Sequence, residues 1–150
     1  ATRGLNVRTY GFCDALRAYC RVAFGMTTKD PQLLQMVGTD LFRRMDPNIW
    51  VRVLMDTLDE QQPDLALVTD VRFPNEVDAI RARGGFLVRI RRGQASGLPW
   101  VSPDRPADHP SEVALNHLMW LDRTFSIGDG CLHEFPPLAR YVLDQVYSTP

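Results

Sequence analysis

Apolar positions in the first third of the chain recur three and four residues apart. In "DALRAYCRVAFG" this puts Ala15, Leu16, Tyr19, Val22 and Ala23 on one face, and predicts a helix with Asp14 as N-cap and Gly25 as its stop. "PQLLQMVGTDLFRR" repeats the pattern through Leu33, Leu34, Val37 and Leu41. The Gly38-Thr39 pair in its middle lowers helix propensity and marks a place where a ligand or another backbone can come close. In "DPNIWVRVLMDTLDE" the stripe is Ile49, Trp50, Val53, Leu54 and Leu58, with Asp46 expected to cap and Pro47 to open the helix.

The period then changes. "NVRTYGF" (6–12) predicts a short strand, and "DLALVTD" a nearly continuous apolar one, as a parallel strand covered on both faces requires. After it Asn75 starts a helix that Gly84-Gly85 ends, and "FLVRIRR" alternates Phe86, Val88 and Ile90 against Leu87, Arg89 and Arg91. Strand, helix and strand over about thirty residues predict a right-handed βαβ unit. "GQASGLPWVSPDRPADHP" is rich in Gly and Pro and reads as a long loop or lid over about 93–110. A helix opening at Ser111-Glu112, a strand "RTFSI" and a last helix "FPPLARYVLDQVY" complete the chain. The expected class is α/β with a layered parallel sheet, in one domain over 1–150.

Composition changes this picture little. The chain is 45% hydrophobic and 23% charged, with a net charge of −1, so no basic field points to nucleic acid or an anionic membrane. No apolar run approaches the ~20 residues that span a bilayer, and "ATRGLNVRTY" has no apolar signal core. Cys13, Cys20 and Cys131 are odd in number and lack close-paired metal spacing, which fits a reduced, cytoplasmic setting. Cys131 and His133 alone do not make a metal site. Of 17 basic residues only Lys29 is lysine; genome composition explains such a bias as readily as phosphate recognition.

Chemistry is expected where the strands end, since open α/β sheets bind ligands outside the carboxyl ends of their strands. Asp70 and Arg72 stand there. A strand-end Asp can hold Mg²⁺ and an arginine fork suits phosphate oxygens; an internal Asp70–Arg72 ion pair is the alternative. Thr39, Asp40 and Arg43 would hold a base or sugar edge and a phosphate, or form a solvated helix face. The arginines of "RIRR" beside the Pro-rich loop fit a lid over anionic phosphates, or are simply exposed. His109 before Pro110 is a candidate acid or base, though an isolated loop histidine is usually neither.

Taken in order, "YGFCDALR", "LLQMVGTDLFRRMDPNIW", "VTDVRFPNEVDAIRARGG", "LVRIRR", "DHPSE" and "RTFSIGDG" resemble the phage-type deoxynucleoside monophosphate kinases, a branch of the P-loop kinases. The resemblance runs from about residue 7 to 135, and "TDVRFPNE" together with "LLQ…GTD…R…DP…W" is its specific part. It implies a three-layer kinase fold with deoxynucleoside monophosphate bound around Phe12, Asp14, Thr39, Asp40, Arg43 and Trp50. It further implies catalytic roles for Asp70, near Mg²⁺, and Arg72, on phosphate, with Arg89, Arg91 or Arg92 near the lid. Such kinases move the γ-phosphate of ATP by positioning and charge neutralisation, in the host cytoplasm if the protein is phage-encoded.

The chain departs from that family in one respect. No G-x-x-x-x-G-K-[ST] occurs in the 150 residues, and Lys29 sits in "MTTKD", so nothing obvious cradles the β- and γ-phosphates of ATP. The strand that carries this loop lies, in the family, in the middle of the sheet. Three arrangements are expected to meet its loss: a segment outside these residues supplies it, the flanking strands pair directly, or a second copy or another protein fills the gap. With the loop supplied, the expectation is an ATP- and Mg²⁺-dependent kinase. Without it, the expectation is an inactive kinase-derived domain with a structural or interaction role, plausibly of a phage.

Overall fold

The structure, a computed structural model, describes residues 4–93, 108–118, 121–128 and 130–148. The chain divides into two compact units, one of Ala1–Ala79 with Pro103–His117 and one of Ile80–Ser102 with Leu118–Pro150.

The first unit is built on strands β1 (Val7–Tyr10) and β2 (Leu65–Val68), which pair in parallel with Tyr10 opposite Val68. Parallel strands need a long crossover, and three helices supply it. Helix α1 (Asp14–Phe24) ends on Gly25, whose φ of 65° is the left-handed conformation that favours glycine at a helix stop. Its start differs from expectation: Cys13 is the N-cap, and Asp14 is the first helical residue, its Oδ2 accepting the Gly11 N–H at 2.7 Å. Helix α2 (Pro31–Gln35) has Asp30 as cap, accepting the Leu33 N–H at 3.0 Å, with Pro31 just inside.

The helix then widens. Met36–Arg43 is a π-helix, a geometry rare in proteins and frequent at functional sites. Gly38 lies within it, and a Cβ there would come within 2.4 Å of Leu16 Cδ2. The close approach expected at Gly38 is therefore made by the Leu16 side chain. Helix α3 (Ile49–Gln61) starts later than its Pro suggested, with Asn48 as N-cap; Asp46 accepts the Asn48 N–H at 3.0 Å and is ion-paired with Arg52. Tyr10, Phe12, Leu16, Cys20, Val37, Trp50, Leu54 and Val77 form this unit's core, and Glu76 is buried with them.

Helix α4 (Pro74–Ala82) closes at Gly84, with φ of 72°, and Gly85, whose N–H donates to Ile80 O at 2.9 Å. In the second unit β3 (Val88–Gly93) pairs in parallel with β4 (Arg123–Gly128). The βαβ unit expected over 65–91 does not form one ladder: among the described residues β2 pairs with β1 and β3 with β4, in two two-stranded sheets. Of the two faces that alternate here, Leu87 is buried and Ile90 is 54% exposed. Asp122 accepts the Leu87 N–H at 2.6 Å, and the Asp122 and Arg123 N–H groups donate to its carbonyl. Helix α5 is one turn, Pro110–Val113, shorter than the sequence predicts, and α6 is Phe135–Ser148. The lid-like stretch falls largely outside the described residues. No helix among them is long and apolar enough to cross a membrane.

Candidate functional site

The parallel register of β1 and β2 delivers Gly11–Cys13 and Thr69–Asp70 to the same sheet end. Asp70 uses both carboxylate oxygens there: Oδ1 accepts the Phe12 N–H at 2.7 Å and Oδ2 the Cys13 N–H at 3.0 Å. A Cβ on Gly11 would lie 2.9 Å from Asp70 Oδ2, so glycine is what lets the turn close on the carboxylate. Burial, and then the neighbouring Asp70 charge, push the Cys13 thiol up to about 12. Arg72 turns elsewhere: its Nη1 donates to Glu112 Oε1 at 2.7 Å and to Ser111 O at 3.0 Å. The strand-end pair thus takes separate partners, one for the β1–α1 turn and one for α5.

The π-helix presents Thr39 and Arg43 one wide turn apart, and Gly38 O accepts the Trp50 Nε1–H at 3.1 Å. Arg43 is ion-paired with Glu76 and lies over the Phe73 ring, 4.1 Å from its centroid. Its Nη1 is buried without a hydrogen-bond partner among the described residues. Burial pushes the Glu76 carboxyl above its usual range, against the pull of Arg43 and of the Arg72 and Phe73 N–H groups.

These residues meet at one cavity of about 100 Å³. That is smaller than the ~150 Å³ cavity that takes one benzene. Of the residues named from sequence, Phe12, Thr39, Arg43, Trp50, Asp70 and Arg72 line it. Asp14 and Asp40 do not: Asp14 is spent on Gly11 and on Arg17 at 3.2 Å, and Asp40 is 63% exposed, 3.9 Å from His109 Nε2. His109 Nδ1 accepts the Ser111 N–H at 3.2 Å, making the histidine the cap of α5. Arg89, Arg91 and Arg92 lie on β3 of the second unit, with Thr124, Ser126 and Ile127 as their β4 partners. Burial, then the like charge of Arg91, lowers the Arg89 pKa.

Sequence reasoning missed three contributors. Arg17, Lys29 and Glu76 also line the cavity, giving it four cationic side chains, with Arg43 and Arg72, against two carboxylates, with Asp70. Arg17 was hidden in a helix read for its apolar face, although its i,i+3 spacing from Asp14 is visible. Lys29 has no ion-pair partner among the described residues. No three His, Cys, Asp or Glu side chains among them cluster to hold a metal.

Fold and site together define a mixed α/β protein with a cation-lined, partly aromatic cavity at a strand end. Residues 29–98 match the model of the deoxynucleotide monophosphate kinase family. The deoxynucleoside-5′-monophosphate kinase of Escherichia phage T5 is 43% identical over 51 residues, which is 33% of this chain and 20% of that protein. A protein of Acanthamoeba polyphaga mimivirus, which carries the provisional name deoxynucleotide monophosphate kinase, is 36% identical over 115 residues, 66% of this chain and 52% of its own length. An uncharacterized protein of Ictalurid herpesvirus 1 is 35% identical over 92 residues, 59% of this chain and 37% of that protein. No solved structure matches. The chain is related to the phage-type deoxynucleotide monophosphate kinases, and it spans at most about half the length of these relatives.

Proposed function

We propose that this chain carries the monophosphate-binding part of a deoxynucleoside monophosphate kinase. The observation that supports it most is the convergence of Phe12, Thr39, Arg43, Trp50, Asp70 and Arg72, drawn from four separate stretches of sequence, on one cavity with Lys29 at its wall. Apolar rings suit one part of a nucleotide and arginine forks its phosphate. In this reading Arg43, Arg72 and Lys29 hold and neutralise the phosphate, while Phe12 and Trp50 exclude water beside it.

Asp70 fits a Mg²⁺ role. Each of its oxygens accepts a single N–H, which leaves acceptor capacity, and Mg²⁺ is usually held by one or two carboxylates with phosphates and water. When bound, the ion would neutralise charge on the transferring phosphoryl group. The residues do not fit ATP in the same way, because the 150 residues contain no glycine-rich phosphate loop ending in Gly-Lys. Phosphoryl transfer therefore needs that loop from outside them, together with the P-loop-kinase strand that would extend the short parallel pairs.

Calorimetric titration of the purified protein with each deoxynucleoside monophosphate, and with Mg-ATP, tests the reading. Saturable binding of a monophosphate is expected, weakened by Arg72→Ala more than the thermal midpoint is lowered. Silence with every monophosphate would remove the reading and leave a kinase-derived domain used for assembly.

A further inference from the structure

Glu76 is fully buried, and no other polar side chain among the described residues is so enclosed. An ionised carboxylate inside a protein costs several kcal/mol unless donors surround it. Here three do. Oε1 accepts from Arg43 Nη2, and Oε2 accepts the backbone N–H of Arg72 at 2.7 Å and of Phe73 at 3.1 Å.

The pattern of these bonds matters more than their number. The carboxylate that fixes the backbone of residues 72 and 73 also fixes the Arg43 guanidinium, and that guanidinium rests on the ring of Phe73. Arg43 is thereby held from two sides while Nη1 is left without a hydrogen-bond partner among the described residues. A buried donor left in this way is costly, and it calls for an explanation such as a ligand or water that completes it. Both arginines that Glu76 touches, one by its side chain and one by its backbone, line the cavity.

We propose that Glu76 is the positioning residue of the phosphate-binding site, setting Arg43 and the Arg72 backbone for one anion. The proposal rests on the monophosphate reading above. It assigns Glu76 no contact with the ligand; it acts through the two arginines. A buried ion pair that merely stabilises the fold would affect every ligand of the cavity alike, whereas a positioning residue affects the phosphate-dependent part of the affinity.

The test compares each deoxynucleoside 5′-monophosphate with its deoxynucleoside on the purified protein and on Glu76→Gln, with thermal melts alongside. In Glu76→Gln the monophosphate is expected to bind about ten- to a hundredfold more weakly, the range for loss of a charge-assisted contact. The deoxynucleoside should bind as it does to the unmodified protein. Unchanged monophosphate binding, or equal losses for both ligands, would overturn the role of Glu76 while leaving the binding reading intact. A parent protein that binds no monophosphate would overturn both. If Glu76→Gln does not fold, Glu76→Asp keeps the charge but shortens its reach to Arg43 and to the backbone of residues 72 and 73. It is expected to weaken binding of the monophosphate and not of the deoxynucleoside; equal effects on both ligands would overturn the proposal.

Discussion

Cys13 shows how a single carboxylate shapes its surroundings. Asp70 accepts the Cys13 N–H, and burial, with the Asp70 charge added to it, raises the thiol to about 12. At pH 8 the thiolate fraction is then about a thousandfold below that of an ordinary thiol. Alkylation of Cys13 by iodoacetamide is expected to be correspondingly slow, and to rise with pH well beyond the range where free cysteine levels off. Asp70→Asn should speed it at pH 8. Equal rates in both proteins, measured by mass spectrometry of the Cys13 peptide, would count against this account. At this scale the strand-end residues were legible: Asp70 and Arg72 stood out as charges beside an apolar run. Their partners were not, because Arg72 meets Glu112 across 40 positions and Glu76 meets Arg43 across 33. No local spacing reports such contacts.

At the level of the elements, periodicity located most of the strands and helices and missed the geometry of one. The weak point at Gly38-Thr39 is visible as low propensity, but low propensity does not tell a helix that breaks from one that widens to i→i+5 bonding. What selects it here is packing: Leu16 fills the space beside Gly38, and Trp50 donates to its carbonyl. Gly38→Ala is expected to lose about 1–3 kcal/mol, the usual cost of forcing volume into a filled core. Combined with Leu16→Ala it should lose less than the sum of the two single changes, because the second makes room for the first. Strict additivity in denaturant melts would show that the two do not meet. Helix starts were misplaced for a related reason. Asp14 and Asp46 are good capping residues, yet each bonds a backbone N–H just outside its helix, leaving the cap to Cys13 and Asn48.

Across the whole molecule the two units differ in what they bury. Eight apolar side chains form the core of the first unit, whereas Leu87 and Ile127 are the buried apolar residues among those described in the second. Local opening is easiest where few apolar contacts resist it. Amides of β1, β2 and α1 are therefore expected to exchange with deuterium more slowly than those of β3 and β4, and a monophosphate should slow the first set further. Greater protection in β3 and β4 would contradict this. The overall α/β class was readable from strand–helix alternation. The division into two strand pairs was not, since alternating strands and helices carry no mark of which neighbour each strand will take.

The cavity also contains its own reporter. Lys29 is the only lysine in the chain, and it stands at the cavity wall. An amine-directed reagent therefore finds a single side-chain target, the α-amino group aside, and that target lies where the ligand is expected. Acylation of Lys29, followed by mass, measures occupancy of the pocket without any engineered label, and a ligand that shields it announces its own position.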